Sequence, residues 1–209
     1  MQSNNEISKV VAVLMEEHPS LKKIPEKLIE QAKIVTLNRQ QNVFIKGNTP
    51  TLLFYLVSGS VSLNRCLENG TSCTLQHVQR GFVSEASLFA LVYHCNAVAQ
   101  SDCKLLAFPI AEFRLAFDDP NFRDLWIQLL SYEIRHLRTQ IERLSLKTVT
   151  ERILHYLESE GAYDRLISNK SKKEWSAELG ITHEALYRAL SQLKKKNMIQ
   201  CHYDRVELK

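Results

Sequence analysis

The residues best suited to bind another molecule through hydrogen bonds lie together near the C-terminal end, on one face of a predicted helix. Glu184 and Arg188 are four residues apart, a spacing that places both on the same side of a helix. Arginine can donate two hydrogen bonds to guanine O6 and N7, and glutamate can accept one from a cytosine amino group. His183, Tyr187 and Gln192 share this face. The pattern is typical of a surface that reads base edges, although an exposed intrahelical ion pair has the same spacing.

Two short helices joined by a tight turn are predicted to position these side chains. Ser171 and Glu174 have the spacing of a capping box at the start of the first helix, and Gly180 suits the turn that ends it. Thr182 is the predicted N-cap of the second helix. The inner face of that helix consists of Ala185, Leu186, Ala189, Leu190 and Leu193. This is the pattern of a helix-turn-helix, whose second helix meets the bases.

Positive charge is concentrated in the same region. The chain of 209 residues has a formal net charge of +4, yet residues 165–196 alone carry eight basic and three acidic side chains. Such an excess suits phosphate contacts. The alternative is that Lys194, Lys195 and Lys196 are a solvated helix end favoured by the helix dipole. Besides the face described above, the candidate DNA-binding set includes Ser171, Lys172, Lys173 and Thr182.

Composition excludes several classes of protein. At 44% hydrophobic and 24% charged residues, the chain is ordinary for a globular protein. It has no apolar run of about 20 residues and no basic-then-apolar start, so we expect a cytoplasmic protein without a membrane partner. The cysteines are odd in number and form no CxxC pair, which argues against disulfides and zinc. We find no paired carboxylates, nucleophile–base pair or phosphate loop, and predict no catalytic or metal site.

The first half of the chain has the pattern of a β domain. Helices are predicted at residues 6–17 and from Pro25 through Ile34. Residues 35–108 then contain short β-rich runs separated by glycine turns, with no room for a helix longer than ten residues. Strands at this spacing are typical of an antiparallel barrel or roll. We place the first domain at residues 1–115.

A long helix with an apolar seam follows, and we assign it residues 116–146. Steps of three and four residues separate the seam positions, which is the heptad pattern of a coiled coil. A pair of such helices would form a homodimer; the alternative is a helix that packs on its own domain. In a dimer, two helix-turn-helix units would read two half-sites of a near-palindrome. The seam consists of Ile127, Leu130, Ile134, Leu137, Ile141 and Leu144.

The last domain, residues 147–209, contains the helix-turn-helix with an element on either side. Residues 149–160 form an amphipathic pattern that Gly161 ends. After the second helix, MIQCHY and RVELK flank Asp204 as two short strands would flank a turn. We therefore expect a two-stranded wing.

The order of these parts resembles the Crp/Fnr family of bacterial transcription regulators over nearly the whole chain. LLFYLVSGSVSL is similar to the roll strands of that family, VTERI to the start of its DNA-binding domain, and Glu184 with Arg188 to its base-reading pair. The resemblance implies an α+β fold with an N-terminal β-roll like a cyclic-nucleotide-binding jelly roll, a dimerisation helix and a C-terminal winged helix-turn-helix. It further implies a homodimer that binds double-stranded DNA with a TGA-type core, and RNA polymerase as a partner if the protein is an activator. His183 stands where members differ.

The resemblance also implies an effector site in the roll, where this sequence departs from the cyclic-AMP-binding pattern. Members that bind cAMP have a Gly-Glu pair and, ten residues after the Glu, an Arg followed by Ser or Thr. Here Ser84 and Glu85 occupy the first pair of positions, and Cys95 and Asn96 the second. Without the arginine, a buried phosphate charge has no partner, which is costly. We therefore expect no cAMP binding.

The oxygen-sensing branch of the family holds an iron–sulfur cluster on N-terminal cysteines. The first cysteine here, Cys66, lies inside the roll, so we expect no cluster. A pocket of unassigned ligand remains, formed by the four effector positions. Thiol oxidation at Cys95, with Cys73 or Cys103 nearby, and a small uncharged ligand are two hypotheses for it. The favoured alternative is that these cysteines are small apolar core residues.

Overall fold

The computed structural model describes residues 24–66, 72–161, 172–201 and 206–208. The chain divides into two compact units, one that ends at Gln128 and one that begins at Leu129. The predicted helix at residues 6–17, the predicted N-cap Ser171 and the turn of the predicted wing lie outside the described residues. None of the described helices is long and apolar enough to span a membrane.

The first unit contains a β-roll made of two four-stranded antiparallel sheets. In the first sheet the strand order is β1-β8-β3-β6, and in the second it is β2-β7-β4-β5. The strands are β1 Lys33–Leu37, β2 Asn42–Phe44, β3 Leu52–Ser58, β4 Val61–Cys66, β5 Ser72–Val78, β6 Gly81–Phe82, β7 Asn96–Ala99 and β8 Cys103–Pro109. A 3-10 turn at Glu85–Ser87 is the only helix described between β1 and β8. The prediction of a roll is confirmed.

The roll forms because successive strand side chains point to opposite faces of the sheet. Along β7, Ala97 and Ala99 are buried whereas Asn96 and Val98 are only half-buried. Phe44 of β2 stacks on Tyr93, which precedes β7, with ring centroids 4.1 Å apart. The buried core also includes Phe54, Leu56, Val61, Leu63, Val78, Val83, Cys95, Cys103, Leu105 and Ala107.

The helix predicted from Pro25 to Ile34 is shorter than the sequence suggested. Helix α1 spans Glu26–Glu30, with Pro25 at its N-cap position. Ile34 belongs instead to β1, where it pairs with Leu106 of β8. The prediction was wrong at this end because the apolar residues of a short strand also fit the helical period, and pairing with β8 decides between the two.

An aromatic cluster follows the roll and holds the start of the long helix. Helix α2 spans Ile110–Leu115, a 3-10 turn spans Ala116–Asp118, and helix α3 spans Pro120–Ser145. Phe113 is fully buried at the centre of the cluster. Its ring lies 5.3 Å from that of Phe122 and 5.0 Å from that of Trp126, both with edge-to-face geometry. The first turns of α3 are therefore part of the first unit.

The second unit is a small helical domain closed by a two-stranded sheet. Its elements are the rest of α3, α4 Val149–Gly161, α5 Lys172–Glu178, α6 His183–Lys195, β9 Ile199–Cys201 and β10 Val206–Leu208. Strands β9 and β10 pair antiparallel, as predicted for the wing. Val206 of β10 packs into the helical core, so the sheet is attached to it. The core contains Ile153, Tyr156, Leu157, Trp175, Leu179, Leu186, Ala189, Leu190, Leu193 and Ile199.

Two glycines of the roll give a matched test of backbone crowding. Gly59, between β3 and β4, has φ +96°, and a Cβ there would meet the Asp102 carbonyl oxygen and lie 2.7 Å from Cys103 Sγ. Gly47 has φ +89° but open space around it. We expect Gly47→Ala to lower the free energy of unfolding by about 1 kcal/mol, the cost of the left-handed backbone. Gly59→Ala should lower it by about 3 kcal/mol, because overpacking adds to that cost. Urea denaturation of both variants measures the difference; equal losses would contradict the crowding.

Candidate nucleic-acid interface

Helix α6 begins at a well-defined turn. Gly180 adopts the left-handed conformation with φ +63°, which a glycine takes without a Cβ clash. Thr182 then caps α6 with an extended ψ of 152°, and its Oγ1 accepts a hydrogen bond from the Ala185 N–H at 3.1 Å. The predicted cap is therefore present. A threonine at this position satisfies one of the donors that a helix N-terminus leaves open, so the first residues of α6 hold a fixed orientation.

The face of α6 opposite the core carries the predicted charged pair. Leu186, Ala189, Leu190 and Leu193 are buried on the inner side. On the outer side, Arg188 Nη2 lies 3.1 Å from Glu184 Oε1, and the two side chains are 68% and 85% exposed. The intrahelical ion pair that the sequence allowed therefore exists. Both groups remain open to solvent, so the same side chains are also available to a ligand.

A second pair lies beside the first on α6. The rings of His183 and Tyr187 meet edge to face with centroids 4.8 Å apart, and Tyr187 is 53% exposed. Gln192 is exposed further along the helix. In the last turn, Lys194 and Lys195 lie where the helix dipole favours positive charge. The outer face of α6 thus carries donors, acceptors and an aromatic surface.

The phosphate-contact candidates of α5 are only partly described. Lys172 begins α5, and its Nζ lies 5.0 Å from the centre of the Trp175 ring, a cation–π contact. The contact holds the Lys172 stem against the domain core, since Trp175 is buried. Ser171 and the side chain of Lys173 lie outside the described residues.

Helix α4 has a capping box that was overlooked in the sequence. Thr148 Oγ1 and the Thr148 N–H both donate to Glu151 Oε2, at 2.8 and 2.9 Å, while the Glu151 N–H donates to Thr148 Oγ1 at 3.1 Å. The two hydrogen bonds from Thr148 lower the pKa of Glu151 below its ordinary value. The signal was present as Thr-x-x-Glu directly before the amphipathic pattern. It fixes where α4 starts after α3.

The predicted seam of α3 is largely exposed. Among residues 127–142 no side chain is buried, which is unusual for a helix with apolar residues every three or four positions. Leu130 is half-buried. The exposed fractions are 55% for Ile127, 49% for Ile134, 38% for Leu137, 65% for Ile141 and 48% for Leu144. These apolar side chains are therefore largely in contact with solvent in the single chain.

Two of the four predicted effector positions make structural hydrogen bonds within the roll. Ser84 is buried and its Oγ accepts from the Phe54 N–H at 3.1 Å. Asn96 Oδ1 accepts from the Lys46 N–H at 2.7 Å. Glu85 opens the 3-10 turn, and Cys95 is fully buried in the roll core. Two of the four side chains thus hold the roll together.

Electrostatics at Cys95 point to a protonated thiol. Burial raises its pKa above the ordinary value, the Glu85 charge raises it further, and the Arg65 charge offsets part of this. Reactive cysteines have the opposite property, a lowered pKa. Arg65 of β4 is a cation near this site that sequence reasoning missed, because only the pairing of β4 with β7 brings it there.

Cysteine and histidine do not cluster in the part of the chain that the structure describes. Cys66 and Cys73 are exposed, Cys95 and Cys103 are buried, and these four described cysteines form no disulfide. Within the described ranges no three His, Cys, Asp or Glu side chains are grouped as a metal ion would require.

Comparison with known proteins gives the same architecture. The cyclic nucleotide-binding domain family matches residues 34–119. A global nitrogen regulator of Nostoc sp. is 24% identical over 196 residues, which are 83% of this chain and 83% of that protein. The global nitrogen regulator of Synechocystis sp. is 25% identical, with 79% of this chain and 80% of that protein covered.

Solved structures share the fold. FixK2 from Bradyrhizobium japonicum superposes with a TM-score of 0.65 at 19% identity, covering 85% of this chain and 92% of that one. A CRP-family transcriptional regulator of Thermus thermophilus superposes with a TM-score of 0.57 at 22% identity, covering 83% and 91%. The resemblance inferred from the sequence is confirmed: the chain carries a cyclic nucleotide-binding domain within the fold of the Crp/Fnr family of transcription regulators.

Proposed function

We propose that this protein is a homodimeric, sequence-specific DNA-binding transcription regulator of the cytoplasm, and not an enzyme. The observation that carries the proposal is the outer face of α6, where Glu184 and Arg188 stay exposed on a capped helix whose other face is buried. Such a helix can enter the major groove without rearrangement of its own domain. The regulators that share the fold support the same role.

The ion pair on α6 is not an obstacle to base reading. An exposed pair at this spacing stabilises a helix by only about 0.3–0.5 kcal/mol. A bidentate contact between arginine and guanine contributes about 1–3 kcal/mol of discrimination. Arg188 therefore gains by turning from Glu184 to guanine O6 and N7, while Glu184 accepts from a cytosine amino group. His183, Tyr187 and Gln192 face the neighbouring bases, and the candidates for phosphate contacts are Lys172 and Lys173.

The exposed seam of α3 supports a homodimer. A second copy of the same helix would cover six apolar side chains that solvent now reaches, and burial of such side chains is the main favourable term in association. A two-fold axis along α3 would present two α6 helices to half-sites about one turn of DNA apart. If the dimer activates transcription, RNA polymerase is a further partner.

The roll is proposed to sense a signal other than cAMP. Asn96 and Ser84 already use their side-chain oxygens within the roll, and Cys95 brings no charge to a phosphate. Arg65 supplies the nearby positive charge but comes from the exposed end of β4. A second candidate function is a sensor or protein-interaction module of the same fold. It would use the same roll, and its α6 would not bind DNA.

Arg188→Ala tests the reading face. With random duplex DNA at fixed salt, the wild-type protein should select a two-fold symmetric site with a TGA-like core. The variant should lose at least about tenfold in affinity for that site, because each half-site loses a contact of about 1–3 kcal/mol. Arg39→Ala removes the same charge from an exposed position of the roll and should bind like wild type. A wild-type protein that selects no sequence, with or without cell extract, would favour the module that does not bind DNA.

Ile134→Glu tests the dimer. In a two-fold seam this substitution brings two carboxylates together in an apolar contact, which is costly for both. We expect sedimentation velocity to show a monomer and DNA affinity to fall with it. Thr139→Glu adds the same charge on the opposite side of α3 and serves as the control. A dimer that survives Ile134→Glu would place the interface elsewhere.

Alkylation tests whether Cys95 is a redox-sensing thiol or a core residue. Cys66 and Cys73 are exposed and should react with iodoacetamide first, whereas Cys95 should react slowly at pH 7 because it is buried and its pKa is raised. The Cys95 rate should rise only as pH approaches that raised pKa, since the thiolate is the nucleophile. Mass spectrometry of the peptides reports each site. Rapid labelling of Cys95 at neutral pH would instead favour a redox-sensing thiol.

A further inference from the structure

Three carbonyl groups from two different helix ends converge on one arginine of α4. Arg152 Nε donates to the Leu146 oxygen at 3.0 Å, Nη2 to the Leu144 oxygen at 3.1 Å, and Nη1 to the Leu179 oxygen at 3.2 Å. Leu144 belongs to the last turn of α3, and Leu179 directly follows α5. One guanidinium therefore joins the end of the seam helix to the turn of the helix-turn-helix.

The chemistry of this contact requires arginine. Carbonyls at the end of a helix have no partner within the helix and must find one elsewhere. The guanidinium presents five N–H donors in a fixed plane, whereas a lysine ammonium is a compact charge without that fork. All three guanidinium nitrogens of Arg152 donate to carbonyl oxygens at these helix ends. A lysine would satisfy the charge but not the geometry.

Direct packing also connects the end of α3 to the turn before α6, and we call this region the joint. A Cβ placed on Gly180 would lie 3.0 Å from Leu144 Cδ2 and 3.6 Å from Arg152 Nη1, so the turn backbone rests against both side chains. Leu144 is thus the predicted seam position that also contacts the turn before α6. The glycine is needed there for its left-handed φ and for this close approach.

A second set of contacts fixes the other side of the α3 end to α4. Arg143 is buried, with its guanidinium carbon 4.5 Å from the Tyr156 ring centre and Nη2 donating to Ser159 Oγ at 3.0 Å. His155 Nε2 lies 3.5 Å from Glu142 Oε2. Together with the capping box at Thr148, these contacts leave residues 146–148 little freedom to act as a hinge.

We propose that Arg152 is a positioning residue that locks the helix-turn-helix to the last turn of α3. In the proposed dimer, the distance between the two α6 helices is then set by α3 without an effector, and the protein accepts a narrow range of half-site spacings. The inference rests on the proposed function, since it concerns how that dimer meets DNA. It adds that the reading geometry is already fixed in the ligand-free protein.

The measurement is how strongly DNA affinity depends on the spacing between the two half-sites. A residue that only stabilises the fold would not change this dependence. One base pair moves a half-site by about 3.4 Å and turns it by about 34°, which a rigid dimer must reject. We expect the ratio of affinities for the optimal spacing and for spacings one base pair longer or shorter to fall about tenfold in Arg152→Lys and Arg152→Met, because preorganisation is lost. A variant that is only less stable has a smaller folded fraction. Its apparent affinity for every spacing then falls by the same factor, and the ratio stays unchanged.

Leu157→Ala is the matched control for that experiment. Leu157 is buried in the same helical core but takes no part in the joint, so its truncation should lower the melting temperature and keep the spacing ratio. If the Arg152 variants also keep the wild-type ratio, the proposal is overturned.

A second measurement tests the joint without DNA. Lys147 is exposed in the segment between α3 and α4. Trypsin should cut after Lys147 several times faster in Arg152→Met than in wild type, and no faster in Leu157→Ala at a temperature where both variants are folded. Faster cutting in a protein whose wild type selects no DNA would retain the joint and refute the proposed function. An unchanged rate together with an unchanged spacing ratio would refute the joint.

Discussion

The exposed apolar side of α3 is the constraint on which the rest of this structure depends. Residues 127–142 contain no buried side chain, yet apolar residues recur there at heptad spacing. A helix in a protein gains most of its stability from packing of its apolar face rather than from intrinsic propensity, and this face has no such packing within the described residues. A second copy is the partner that the heptad spacing fits best. In that arrangement the long helix would organise the whole assembly.

Both ends of α3 are fixed, but by different kinds of contact. At its start, aromatic rings from α2, the following 3-10 turn and the helix itself pack edge to face around Phe113. At its end, Arg143 and Arg152 bind ring faces, hydroxyls and carbonyl oxygens of the helical domain. Apolar burial has no preferred direction, whereas hydrogen bonds do. The end of α3 is therefore held by directional contacts and its start by close packing of rings.

The residues at the predicted effector positions of the roll make contacts of their own within the roll. The 3-10 turn opens with Glu85 at the position that the cAMP-binding pattern requires. Ser84 and Asn96 instead bind backbone N–H groups of the roll, and Cys95 fills core space as a protonated thiol. A buried anion at this place would need a cation, and Arg65 on the neighbouring strand is the described group that supplies positive charge there. Under the proposed function, a signal bound by the roll would have to favour one geometry of the dimer over another to have an effect.

The sequence by itself determined the elements and their order, because periodicity and capping are local properties. Strand alternation, the Thr182 cap and the glycine turn before α6 all appear where the residues predicted them. The exception at Ile34 shows the limit. A few apolar residues fit both the helical and the strand period until the neighbouring strand is known. The charged pair of α6 was predictable for the same reason, since residues four apart lie about one helical turn from each other.

Tertiary structure decided which distant residues meet. Nothing in the spacing of Arg152 indicates that it binds carbonyls at Leu144 and Leu179. Nothing near Arg65 in the sequence indicates that its charge lowers the pKa of Cys95. Arginine is usually exposed, so a sequence pattern assigns it to the surface unless a partner is known. These contacts join segments that only the packing of helices and the pairing of strands bring together. They join the turn before α6 to the end of α3 and bring positive charge near Cys95, which local patterns do not encode.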